Sequence, residues 1–146
     1  MAFLPPPDND YRGSPLALWF LWFLIGVNAF RGWVHVLWDD SGAGRIAGID
    51  LTQNGAVIVS MLAVIGVDQL AWGVILLGAV LRYRRWIPVV LAFTLAQQTL
   101  FAWLLWVWKP LPVRAPGTYG ALIALPFVAL AFWLALRERP LSAPRA

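Results

Sequence analysis

The chain has 146 residues, room for one domain, of which 61% are hydrophobic and 12% charged, with a mean hydropathy of +0.72. A water-soluble domain of this size has too little interior to hide so much apolar surface, so lipid is the expected solvent. The formal charge of +4 comes without an aromatic-laced basic face, which argues against a nucleic-acid partner. The absence of cysteine closes disulfide, thiolate-metal, Cys-ligated iron–sulfur and redox-thiol chemistry.

Residues 1–13 are expected to form a flexible cytoplasmic tail. No positive residue precedes their few apolar ones, and Asp8, Asn9 and Asp10 stand where a small-residue cleavage site would be needed, so no removable signal peptide is expected. The transmembrane domain is expected over 14–139. Its first span, about 15–38, opens with Ser14 as N-cap and Pro15 in the first turn, where a missing N–H costs nothing. About 20 apolar residues cross the ~30 Å hydrocarbon layer, so this run suffices.

A polar connection follows, broken by Gly42, Gly44 and Gly48. Asp39 and Asp40 sit at a helix C-terminus, where acidic groups are unfavourable, and Arg45 is a nearby cation that could meet them. Asp50 and Gln53 have the spacing of a capping box for the second span, about 53–81. That run exceeds the requirement, so it tilts or projects beyond the bilayer. Arg82, Arg84 and Arg85 mark its end. The third span, about 87–108, has Pro88 in its first turn and stops before Lys109 and Pro110. The fourth, about 119–136, contains Pro126, which should kink it. Residues 140–146 are expected to be a second cytoplasmic tail. Short connections give an all-α, up-down-up-down, four-helix transmembrane bundle.

Arg12, Arg82, Arg84, Arg85, Arg137, Arg139 and Arg145 fall on the side of the termini, against Arg45, Lys109 and Arg114 on the other. The positive-inside rule then puts both termini in the cytoplasm. The tryptophans divide between two belts, Trp19, Trp22, Trp86 and Trp133 toward the cytoplasm and Trp33, Trp38, Trp103, Trp106 and Trp108 toward the outside.

Polar side chains at membrane depth are expensive and each calls for a reason. The first span contributes Asn28, Arg31 and His35, which spacings of three and four place on one helical face. The second contributes Asp68 and Gln69, the third Gln97 and Gln98. Counting about 1.5 Å per residue puts Arg31 and Asp68 level in the outer half, with the glutamines within reach. An Arg31–Asp68 ion pair is expected, and the group is either a polar pocket or a lock between helices. His35 could serve as an axial ligand to haem or chlorophyll, or the pocket could take a quinone. No cofactor is otherwise indicated. No metal site is expected, because His35 with Asp39 and Asp40 lacks a second histidine, and no catalytic triad or phosphate loop is present.

The stretch 68–82, with Asp68, Gly73, a Leu-rich step, Gly78 and Arg82, resembles the second span of DoxX-like bacterial membrane proteins. The resemblance implies a four-helix inner-membrane protein, with members tied to redox or quinone-linked complexes. Small size and sparse catalytic equipment point to a non-catalytic accessory or assembly subunit of a larger membrane complex. The alternative is a membrane enzyme or binding protein for a lipid, sterol or quinone, with Arg31 holding an oxygen and His35 or Asp68 moving a proton. The expected partners are the bilayer and a larger complex or further copies of the chain.

Overall fold

The computed structural model describes residues 4–113 and 115–137. The expected tail 140–146 and the basic residues Arg114, Arg139 and Arg145 lie outside them. Four helices are long and apolar enough to cross a membrane, and they form an all-helical bundle. They are α1 (Pro15–Leu37), α2 (Gly55–Leu81), α3 (Ile87–Trp103, which crosses together with its flanking turns as Arg84–Trp108) and α4 (Pro116–Leu136). We call the end carrying the chain termini proximal and the end carrying the α1–α2 and α3–α4 connections distal.

Local chemistry fixes most helix ends. Ser14 caps α1 with its side chain, which accepts from the Leu16 N–H. α4 starts earlier than expected because Pro116 supplies its first turn with a ready-made φ. α3 is entered through one tight 3-10 turn, Arg84–Trp86, and leaves through a wider π-type turn, Leu104–Trp108. The expected capping box at α2 does not form. Asp50 instead accepts from the Thr52 N–H, and Asn54 enters the helix with φ 57° and no side-chain cap.

α1 packs along α2 and α3 along α4, giving two antiparallel hairpins. Between the hairpins α1 meets α4, while α2 and α3 touch only sparsely. The shared core lies in the proximal half, where Leu21 and Leu24 of α1 meet Leu76 and Val80 of α2, Leu91 of α3 and Ala131 of α4. In lipid these contacts hold by close van der Waals fit, since the surrounding tails are as apolar as the core.

The α1–α2 seam has one register throughout. α1 presents Asn28, Gly32 and His35 to α2 at steps of four and three, the spacing of a knobs-into-holes seam. Opposite lie Gly66, Gln69, Gly73, Leu76 and Val80 of α2. The closest approach is at Gly32 and Gly66: a Cβ on Gly66 would lie 2.7 Å from the His35 Cβ and 3.0 Å from the Gly32 carbonyl oxygen. Glycine is required here because backbone meets backbone.

The N-terminal segment is not a free tail. Its prolines, Pro5 to Pro7, hold an extended chain, which the α2–α3 connection grips. Asp8 N–H donates to the Arg82 carbonyl, the Tyr83 hydroxyl donates to the Pro5 carbonyl, and Arg85 pairs with the Asp8 carboxylate at 3.4 Å. Ser14 N–H donates to the Leu134 carbonyl, which ties the segment to α4 as well. The sequence hides this because the partners of Asp8 lie more than seventy residues away.

Candidate functional site

The two hairpins end at different heights. Gly117, in the first turn of α4, sits against the Arg31 guanidinium, 3.2 Å from Nη2 to a Cβ built on the glycine. Trp106, in the π-type turn that follows α3, donates to the Thr118 carbonyl. The α3–α4 hairpin therefore stops level with Arg31. α2, by contrast, begins at Gly55, eleven residues beyond Gly66 and so about 16 Å farther out. The α1–α2 hairpin and its connection stand above the tips of α3 and α4.

Arg31 and Asp68 are level, as expected, because Gly32 lies against Leu70. They do not pair. Asp68 is two residues, about 200° of helical turn, from Gly66, so it points away from α1 and is exposed. Neither residue makes an ion pair or hydrogen bond among the described residues. Arg31 instead extends, partly buried, toward α4. The guanidinium and the α4 N-terminus are both positive, so the two together favour an anion rather than each other.

The remaining candidates separate further. Asn28 donates to the Leu24 carbonyl of its own helix at 2.8 Å and packs against Gly73. Gln69 lies on the seam with its Oε1 buried and unpartnered among the described residues. Gln97 and Gln98 sit on α3 about nine residues from the level of Arg31, roughly 13 Å deeper toward the proximal side. The lower seating of the α3–α4 hairpin takes them out of reach. Sequence reasoning passed over Trp72, whose Nε1 is the second buried side-chain polar atom without a partner among the described residues. Its signal was its position three residues after Gln69, on the bundle side of the same helix.

His35 belongs to the connection. Its Nδ1–H donates to the Ser41 carbonyl at 2.7 Å, since a carbonyl can only accept, leaving Nε2 as the ring's other nitrogen. Ser41 is buried, adopts φ 50°, and donates through its hydroxyl to the Val59 carbonyl at 3.1 Å. Three residues thus knot the end of α1, the connection and the start of α2.

The acidic pair after α1 does meet Arg45. Its guanidinium lies 3.0 Å from Asp39, and its backbone N–H donates to Asp40. The backbone N–H groups of Arg45 and Gly42 hold the Asp40 carboxyl below the usual carboxylate range. A value lower in the folded state gives a contribution that is complete at neutral pH and lost as pH falls through that range. Backbone exchange at Gly42 and Arg45, corrected for intrinsic rates, should therefore be faster at pH 3 than at pH 7. Asp40→Asn should abolish the difference.

An apolar recess of about 420 Å³ opens on the membrane-facing side between α3 and α4, lined by Pro88, Ala92, Phe93 and Phe132 among others. None of the candidate polar residues reaches it. Compared with known families, curated proteins and solved structures, the chain matches none. What stands is a multi-pass four-helix membrane bundle whose polar residues divide between an inward group, Arg31, Gln69 and Trp72, and an outward carboxylate, Asp68.

Proposed function

We propose that the chain is a small accessory or assembly subunit of a larger complex in the inner membrane, with both termini in the cytoplasm. Asp68 carries this reading. It interrupts a stripe of exposed apolar residues on α2, with Met61 and Val64 on one side and Ile75 on the other. If the hydrocarbon layer matches α2 from Leu81 outward, Asp68 lies about 20 Å in, where an unpaired aspartate costs about 3 kcal/mol on insertion scales. If the layer matches α4, Asp68 reaches its edge, but Val57, Met61 and Val64 then stand in water. Either placement leaves a face that another protein would complete.

The orientation is supported by the described basic residues, with Arg12, Arg82, Arg84, Arg85 and Arg137 proximal and Arg45 and Lys109 distal. The resemblance of residues 68–82 to DoxX-like proteins, whose members are tied to redox or quinone-linked complexes, supports the same reading. Native mass spectrometry of particles cut directly from cell membranes by an amphipathic polymer tests it. The expected particle contains the 16.2 kDa chain together with companion chains. Particles holding this chain alone, in one or several copies, would refute it.

A second reading has its own observation. Arg31, the Gln69 Oε1 and the Trp72 Nε1 are polar groups on the bundle side that find no partner among the described residues. A lipid or quinone offering a carbonyl or phosphate oxygen and a hydroxyl would satisfy them. The same spectrum would then report a retained small molecule, lost from Arg31→Gln.

A further inference from the structure

We infer that the face of α2 opposite α1 is a docking surface for a transmembrane helix of a different protein, and that this helix brings a basic side chain to Asp68. The inference rests on the subunit reading and names the chemistry of the partner. Val64, Asp68, Ala71, Ile75 and Gly78 follow one another at alternating steps of four and three along α2, the spacing of a helix–helix seam. This line runs on the side opposite Gly66, Gly73 and Val80, which α1 already occupies.

At two of its members the side-chain position is unused within the chain. Asp68 is exposed and unpaired among the described residues. Gly78 sits in the last turn of α2, and a Cβ built on it meets nothing within 4 Å. The contrast with Gly66, where backbone and His35 fill the same space, is direct. Ala71 and Gly78 would let a neighbouring helix approach closely, as small residues do in membrane interfaces. Asp68, on the same line, would then face that helix and select a cation on it.

A second copy is a poor occupant. A symmetric pair would set Asp68 against Asp68, and the cation at that level, Arg31, is turned toward α4. Like charges directly opposed suppress such pairing. A lipid tail offers nothing to the carboxylate. An arginine, lysine or histidine on another span meets it.

The test places the photoreactive residue p-benzoylphenylalanine at position 64 of the full chain, where the exposed Val64 is already large, and irradiates native membranes. The expected product is an adduct whose partner peptide is an apolar span with a basic residue within one turn of the attachment point. Its yield should fall by about tenfold or more with Asp68→Ala, as truncating one member of a buried charge pair does, and stay within about twofold with Asp68→Glu. Gly78→Ile should lower it too. Both positions lie off the chain's own packed seams, so unfolding of the variants, followed by tryptophan fluorescence, should match the parent. An adduct of the chain with itself, adducts with lipid only, or a yield indifferent to Asp68→Ala would overturn the inference. Companion chains in the native spectrum with an indifferent yield would sink the docking face and leave the subunit reading standing. A spectrum without companions would sink both.

Discussion

Gly66→Ala should destabilise the bundle by about 1–3 kcal/mol, the range for forcing extra volume into a filled contact. The added methyl meets the His35 Cβ at 2.7 Å and the Gly32 carbonyl oxygen at 3.0 Å. Neither is the far end of a flexible side chain, so the two helices must move apart. Separation would spread along the seam, because α1 and α2 share one register from Asn28 to His35. Gly78→Ala supplies the control. Its methyl enters open space, and removing a glycine from the last turn of α2 should leave the isolated chain unchanged or more stable by up to about 1 kcal/mol. Unfolding of both variants by denaturing detergent, followed by tryptophan fluorescence, would separate the two cases. Equal losses would mean that the Gly32–Gly66 crossing is not the tight point.

Ser41→Val should open the connection between α1 and α2. Ser41 is buried with φ 50°, and a left-handed conformation costs a side-chain-bearing residue about 1–2 kcal/mol, with a β-branched residue among the worst placed to adopt it. The substitution also removes the hydroxyl that donates to the Val59 carbonyl, a net loss of about 1 kcal/mol. Because Ser41 already holds this backbone, the expected loss is about 1 kcal/mol for the hydroxyl plus the extra strain of a β-branched side chain, read as faster proteolysis between residues 38 and 54. Ser41→Gly separates the parts: it relieves the backbone and loses only the hydroxyl, so its connection should be cut more slowly than that of the valine variant. If glycine were as damaging as valine, the hydroxyl and not the backbone would be the main holding element.

The four spans were legible because length and hydropathy are enough to define a crossing, and the cap at Ser14 follows local backbone chemistry, whereas α4 starts at Pro116, three residues earlier than expected. The shared face of Asn28, Arg31 and His35 was legible for the same reason, since helical spacing is local. What faced that surface was not. Each span is apolar nearly all round, so no polar stripe tells which side of α2 meets α1, and Asp68 was expected to turn toward Arg31. Gly66 and Gly73, seven residues apart, carried the missing information: they mark the side where another backbone comes close. The distance between Arg31 and the glutamines depended on how far one hairpin slides past the other. That is set by the Arg31–Gly117 contact and the shared core, which are long-range. The grip of the α2–α3 connection on Asp8 escaped for the same reason.

The unequal height of the two hairpins has a consequence for the surrounding bilayer. α4, with 21 residues, measures about 31 Å and fits an ordinary hydrocarbon layer, whereas α2, with 27, measures about 40 Å. Lipid against α4 is matched, while lipid against α2 must thicken or the helix must tilt, at fractions of a kcal/mol per Å of hydrophobic mismatch. The protein is thus asymmetric toward its membrane as well as in its own packing. A neighbour seated on α2 would relieve the mismatch on the side where the lipid is strained.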